Sequence, residues 1–353
     1  MAIRVGIVND MKLAAEVLRK IVVADPALEV SWIARDGAEA VVFCASNLPD
    51  IVLMDLVMPN VNGVEATRRI MAATPCPILV VTATVSGHMD LVYDAMGAGA
   101  VDVTTTPIVG DQRGLDSGEE LRRKIQSVWQ ISRLARSPPV PEPRSARHAL
   151  SSLSGQSRRS DSAPPLLAIG ASTGGPAALA KVLGELPADF PAAVAIVQHI
   201  DHDFVDGLAT WLASTSRLPV AVARGGERLR RGRVLLADAG RHLVLDAHGA
   251  LQYTQDPKGS LHCPSVDVFF NSVALHAPPG SCGLLLTGMG RDGATGLLAI
   301  REAGHQTVAQ DQASSVVYGM PGAAAALGAA RHILPLGRLA LHLESAFKEA
   351  LTP

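Results

Sequence analysis

The chain has 353 residues, enough for two domains or one large α/β domain, and carries 31 basic against 33 acidic side chains for a formal net charge of -2. Apolar residues make up 48% and aromatic residues 3%, with 32 Gly and 23 Pro, a balance that fits aliphatic α/β cores and excludes a disordered, collagen-like or aromatic-stacking chain. The near-neutral charge offers no overall attraction to nucleic acid or anionic lipid, and no stretch reaches 18 uninterrupted apolar residues, so neither a nucleic-acid partner nor membrane insertion is expected.

The opening, MAIRVGIVNDMKLA, reads as a first strand and not as a signal peptide. A strand-then-helix rhythm follows. IRVGIVN leads into LAAEVLRKIV, EVSWIA into GAEAVVFCA, DIVLMDL into GVEATRRIMA, PILVVTA into HMDLVYDAMGAG, and VDVTTT into EELRRKIQSVW. The strand runs are almost continuously apolar, as strands covered on both faces must be, and the helical runs space their apolar residues by three and four. Five such units over residues 1–131 predict a doubly wound five-stranded parallel sheet, whose functional crevice lies beyond the carboxyl ends of the strands. Asn9, Asp10, Asp55 and Thr82 stand at those ends.

Residues 132–165 break the rhythm with nine Ser, six Pro and six Arg against two acids, Glu142 and Asp161, and are expected to form a flexible Ser/Pro/Arg-rich linker. Beyond it, PLLAIGASTGGPAALAKVLGEL is expected to form a strand, a Gly-rich turn carrying Ser172, and a helix opening near Pro176. AAVAIVQHI ends in His199, and SCGLLLTGMGRDGATGLLAI runs into a Gly-rich turn carrying Asp292. This second body, residues 166–345, is predicted to be doubly wound and mostly parallel. The cysteines Cys44, Cys76, Cys263 and Cys282 form no CxxC pair, so a reducing cytoplasm is expected.

Two constellations carry chemistry. Asp55 follows an apolar strand and precedes a turn of small residues, where a carboxylate can be exposed on a fixed backbone. Asp10, on a neighbouring strand end, can share Mg²⁺ with it, and Thr82 can donate its hydroxyl to an incoming phosphoryl oxygen. In the second body, the Gly170–Gly175 turn suits a serine nucleophile, an anion-binding loop or an ordinary tight turn. With His199 as base and Asp292 as orienting acid, Ser172 would complete a Ser, His, Asp set.

Residues 1–130 resemble a response-regulator receiver domain through the acid after the first strand, MDLVMPNVNGVEA, VTA and the GAVD run before Pro107. The resemblance implies Asp55 as phospho-acceptor, Asp10 as a Mg²⁺ ligand and Thr82 as the switch hydroxyl. Two departures stand out: Asn9 replaces one of the usual paired acids, and Thr106 replaces the usual lysine. Residues 166–345 resemble the catalytic domain of CheB-type protein-glutamate methylesterases through IGASTGGP, VQHI, PSVDVFFNSVA, LTGMGRDGATGL and AQDQASSVVYGMPGAA. That resemblance implies Ser172 as nucleophile, His199 as general base and Asp292 as triad acid, with Thr173 and Met289 beside the oxyanion position. It also implies hydrolysis of γ-glutamyl methyl esters on methyl-accepting chemoreceptor helices with release of methanol, together with glutamine deamidation. A CheA-type histidine kinase is the implied phosphodonor, and the site is the cytoplasmic face of membrane receptor arrays. Hydrolysis needs no cofactor. The VNDM opening and VTTTP ending of the receiver resemble the Wsp-type branch. A non-catalytic signalling adaptor and a nucleotide-binding regulator using Gly170–Gly175 are the alternative functions. For PSVDVFF, Val266, Val268, Phe269 and Phe270 are expected in a strand or helix core, with Asp267 supporting the site or binding backbone locally.

Overall fold

The computed structural model describes residues 2–82, 89–107, 118–119, 121–129, 163–260 and 262–351. Of the linker predicted over 132–165, all but the last three residues lie outside that set. In the first domain, β1 (Ile3–Val8), β2 (Leu28–Ala34), β3 (Ile51–Met54), β4 (Ile78–Thr82) and β5 (Asp102–Thr105) form one parallel sheet in the order β2-β1-β3-β4-β5. Helix α1 (Lys12–Val23) buries Ala15, Leu18 and Val22 at helical spacing, and α5 (residues 121–129) buries Leu121, Ile125 and Val128 on the same side of the sheet. Helices α2 (Gly37–Ser46), α3 (Gly63–Ala73) and α4 (Met89–Gly97) cover the opposite face. Asp36 and Asn62 start α2 and α3 by accepting from the Glu39 and Glu65 amides at 2.9 Å. With both faces covered, all four residues of β3 are buried, and each large aliphatic side chain contributes about 1.5–3 kcal/mol.

The second domain holds a seven-stranded sheet in the order β15-β14-β13-β6-β7-β10-β8, parallel at every pairing. Its strands are β6 (Leu166–Ala171), β7 (Ala193–Gln198), β8 (Val220–Val222), β10 (Val234–Leu236), β13 (Cys282–Leu285), β14 (Gln306–Gln310) and β15 (His332–Leu334). The chain winds from β6 to one side through β7, then returns past β6 to place β13, β14 and β15 on the other. The carboxyl end of β6 is therefore a topological switch point, where parallel sheets open a crevice. Helices α6 (Gly175–Glu185), α7 (Val205–Thr215), α8 (Val266–His276), α9 (Ala294–Glu302), α10 (Met320–Ala326) and α11 (Leu336–Leu351) surround it.

The three-strand outline expected for this domain was incomplete. Besides the four further strands of the main sheet, β9 (Glu227–Arg228), β11 (His242–Leu245) and β12 (Ala250–Thr254) form a separate antiparallel sheet in the order β11-β12-β9. PSVDVFF resolves as the first turns of α8: Val266, Phe269 and Phe270 are buried and Val268 is half-buried. The helix outcome follows from Ser265, whose hydroxyl accepts from the Val268 amide at 3.3 Å and caps the start.

The two domains pack against each other. Tyr93 on α4 stacks on Trp211 of α7 with ring centroids 5.5 Å apart, and its hydroxyl donates to the Phe204 carbonyl. Burial raises the Tyr93 phenol above its usual range, keeping it a donor. One apolar cluster runs from α3 and α4 through this contact into α6 and α7.

Candidate active site

Ser172 follows β6 directly. Its amide donates to the Thr287 carbonyl at 3.0 Å, and its own carbonyl accepts from Gly175 at 2.7 Å and from Gln198 Nε2 at 2.9 Å. Gly174 adopts φ 76°, the left-handed region that lets the chain turn sharply into α6. A Cβ on Gly288 would lie 2.8 Å from the Ser172 Cβ, so the β13 turn approaches the serine as only glycine permits. His199 follows β7, and its amide donates to the Ala171 carbonyl at 3.0 Å. Because β6 and β7 are neighbours, the two side chains arrive side by side.

Asp292 comes from the turn after β13, the strand on the other side of β6. Its Oδ2 lies 2.8 Å from His199 Nε2 and accepts from the Val266 amide at 2.7 Å. Its Oδ1 accepts from Ser265 Oγ at 2.8 Å and from the Asp267 amide at 2.9 Å. The carboxylate thus sits on the amino end of α8, where backbone N–H groups and the helix dipole favour negative charge. Burial works against its ionisation, but hydrogen bonds from His199, Asp267 and Val266 outweigh that and hold the carboxyl well below its usual range. An ionised carboxylate only accepts, so the His199 proton resides on Nε2 and Nδ1 carries the lone pair. Nδ1 is buried and has no hydrogen-bond partner among the described residues. The Asp267 carboxylate binds backbone, but not locally as one of the two expectations had it: it accepts from the Gly296 amide of α9 at 2.7 Å, 29 residues on, and so ties α8 to α9.

Ser172, Thr173, His199 and Met289 line one cavity of about 440 Å³. Asp292 stands behind His199. Sequence reasoning missed two further groups at this cavity. His262 stacks on His199, and its sole signal was its place just before PSVDVFF. Asp102 belongs to the receiver, and no pattern within either domain could have placed it here. Its carboxylate accepts from Thr173 Oγ1 at 3.1 Å, while the Val101 carbonyl accepts from the Gly174 amide at 2.8 Å. Arg123, Lys124 and Ser127 line the same cavity from the receiver side.

At the receiver's own switch point, Asp55 follows β3 and is half-buried, whereas Asp10 is exposed. Burial raises the Asp55 carboxyl, hydrogen bonds from the Leu56 and Val57 amides oppose the shift, and the Asp10 charge adds to it. A hard divalent cation would relieve that repulsion, so the pair fits Mg²⁺, which commonly takes only one or two protein carboxylates. Asn9 presents its amide N–H₂ to Asp55 Oδ2 at 3.0 Å while its oxygen accepts from the Met11 amide at 2.9 Å, and so faces the acceptor as a donor. Thr82 is buried at the end of β4, and its carbonyl accepts from the Thr106 amide at 2.9 Å. The Thr106 hydroxyl is buried without a hydrogen-bond partner among the described residues.

Fold and site together define a receiver domain docked on an α/β domain that gathers Ser, His and Asp at its switch point. Residues 167–343 match the CheB methylesterase family and residues 5–116 match the response regulator receiver domain. The protein-glutamate methylesterase/protein-glutamine glutaminase 1 of Bordetella avium is 51% identical over 351 residues, covering 99% of both chains. The protein-glutamate methylesterase/protein-glutamine glutaminase 4 of Burkholderia thailandensis is 51% identical over 341 residues, 97% of this chain and 96% of that one. The CheB methylesterase catalytic domain of Thermotoga maritima superposes with a TM-score of 0.50 at 34% identity, covering 52% of this chain and 98% of that one. The chain belongs to the CheB methylesterase family.

Proposed function

We propose that the chain hydrolyses γ-glutamyl methyl esters on methyl-accepting chemoreceptor helices, deamidates receptor glutamines at the same site, and is controlled by phosphorylation of Asp55. The observation that carries this reading is His199, tethered through Nε2 to Asp292 with Nδ1 buried and unpaired among the described residues, lining one cavity with Ser172. Ser172 Oγ attacks the ester carbonyl carbon and its proton passes to His199 Nδ1. The resulting imidazolium is stabilised by the Asp292 carboxylate. The oxyanion is met by the Thr173 amide and the backbone of the Met289–Gly290 turn, the Ser172 amide being held by the Thr287 carbonyl and the Gly174 amide by the receiver's Val101 carbonyl, with Met289 shaping the pocket. Collapse of the intermediate breaks the bond to methoxide, which takes the proton from His199 and leaves as methanol. Water then attacks the acyl-serine with His199 again accepting a proton, and the carbonyl–Oγ bond breaks to give a glutamate carboxylate and free Ser172. With a glutamine substrate the group expelled in the first half is ammonia.

Regulation rests on the receiver's position over the same cavity. Val101 and Asp102 engage Gly174 and Thr173, the residues that flank the nucleophile. The unphosphorylated arrangement is therefore read as closed, and phosphorylation of Asp55 by a CheA-type histidine kinase as shifting the equilibrium toward open. Bound Mg²⁺, held by Asp10 and Asp55, would offset charge on the incoming phosphoryl group. Thr82 supplies a hydroxyl toward it. The domain limits proposed are 1–131, 132–165 and 166–345. Among the described residues no helix is long and apolar enough to cross a membrane, consistent with a cytoplasmic enzyme recruited to receptor arrays. The VNDM and VTTTP segments favour assignment to the Wsp-type branch.

The test is methanol release from a methylated receptor bundle. Ser172→Ala is expected to abolish it while leaving folding and receptor binding near wild type. Retention of more than a few per cent of turnover rejects Ser172 as nucleophile.

A further inference from the structure

His199 is anchored through one ring atom, since Nε2 meets Asp292 Oδ2 at 2.8 Å. One hydrogen bond fixes where that nitrogen lies but leaves the imidazole plane free to turn about it, so the aim of Nδ1 needs a second restraint. The restraint present is a ring. His262 lies face to face with His199, centroids 4.3 Å apart and planes 14° from parallel, and lines the same cavity as Ser172. Among the described residues the His262 ring makes no hydrogen bond, so its main engagement is this stack.

We propose that His262 is a positioning residue for the hydrolytic reaction, stacking as a neutral imidazole on His199 so that Nδ1 is held toward the cavity and can accept the Ser172 proton. The proposal rests on the reading of Ser172 and His199 as nucleophile and base. Its chemistry follows from the charge that the reaction creates. When His199 takes the serine proton it becomes a cation, which a neutral ring at contact distance tolerates and a second imidazolium opposes. The surroundings keep His262 in the tolerant state: burial lowers its basicity, facing His199 lowers it further, and Asp292 pulls weakly the other way. The other ionisable groups around the cavity are Cys263 beside it, Asp201 beyond β7, and Asp102, Arg123 and Lys124 from the receiver. Two rings that must both be unprotonated make the acid side of the activity profile a two-proton event.

The experiment uses the full chain with two probes: methanol release from the methylated receptor bundle, and the reaction of Ser172 with a sulfonyl fluoride read by mass spectrometry, which needs no receptor. His262→Ala is expected to slow both by about 10- to 100-fold with KM for the bundle within about twofold. His262→Phe restores a flat ring and is expected to return both rates to within about threefold of wild type. The acid limb of kcat/KM should fall with a two-proton slope in wild type and a one-proton slope in His262→Phe. Wild-type rates in His262→Ala overturn the proposal, as do a Phe variant as slow as the Ala variant or one that keeps the two-proton slope. Should His262→Ala fail to fold, the rates and slope of His262→Phe decide alone. Wild-type protein that reacts with the sulfonyl fluoride but releases no methanol rejects the substrate reading and leaves the stack to be judged on the sulfonyl fluoride rates alone. Protein that reacts with neither rejects both.

Discussion

Asp292 serves two structures with one carboxylate, accepting from His199 and from the first backbone amides of α8. Asp292→Asn keeps the shape but replaces an acceptor with a group that also donates. It is expected to lower kcat by about a hundredfold or more through the wrong His199 tautomer. His199→Gln should be more severe, because it removes the base itself, and the double variant should cost no more than the worse single one. Stability should respond as well. The folded Asp292 carboxyl lies below its unfolded value of about 3.9, so its contribution is complete above that pH and is lost as pH falls through the folded value. Denaturant melts should show Asp292→Asn less stable than wild type at pH 7, with the gap closing below about pH 4. Asp55 has the opposite sign. Burial raises its carboxyl, so ionising it costs stability that the protonated form does not, and the cost accumulates as pH rises through the folded value. Asp55→Asn is therefore expected to melt higher than wild type at pH 7 in the absence of Mg²⁺, with no gain near pH 3.

Among the elements, those with a single physical cause were the legible ones. β1, β3 and β6 are near-continuous apolar runs because both their faces are covered, and α1 shows its buried stripe in the spacing of Ala15, Leu18 and Val22. Placing Ser172, His199 and Asp292 at carboxyl ends of strands needed only that rule. β9 is two residues long and β8 three, too short for any alternation to register, so the edge of the main sheet at β8 and the edge of the antiparallel sheet at β9 both stayed invisible. α8 was ambiguous because Phe269 and Phe270 suit a buried strand as well as a helix, and the deciding partners, Ser265 and Asp292, are 27 residues apart. The contact between α4 and α7 was beyond reach altogether, since Tyr93 and Trp211 sit in different domains. Tyr93→Phe removes the donor to the Phe204 carbonyl while keeping the stack. It is expected to raise basal esterase turnover severalfold by loosening the closed form by about 1 kcal/mol, and a rate equal to wild type would show that this contact does not hold the domains.

At the scale of the whole molecule, the receiver lies across the cavity and its own signalling site departs from the full residue set. Thr106 leaves a neutral hydroxyl, buried and unpartnered among the described residues, where the receiver resemblance implies an ammonium, and Asn9 offers a donor where it implies a second carboxylate. Activation should depend on Asp55, need high Mg²⁺ and remain modest, and Thr106→Lys should strengthen it. A chain beginning near Pro164 should outpace the unphosphorylated full-length protein. The measurement is esterase rate against phosphodonor at several Mg²⁺ concentrations for each variant. Activation unchanged in Asp55→Asn would reject phosphorylation there, and a shortened chain no faster than the full one would reject occlusion.

The contacts from Val101 and Asp102 to Gly174 and Thr173 carry one more consequence. On the proposed reading a glutamyl ester would compete with the receiver for the same few groups beside Ser172, and each molecule of substrate bound would be a vote against the closed form. Thermodynamic reciprocity then requires the traffic to run in both directions: if phosphate on Asp55 tightens substrate binding, substrate must favour the phosphorylated receiver by the same factor. A receptor rich in methyl esters would thereby favour the phosphorylated state that removes them, and one already stripped would withdraw that bias. The enzyme would sense how much work remains.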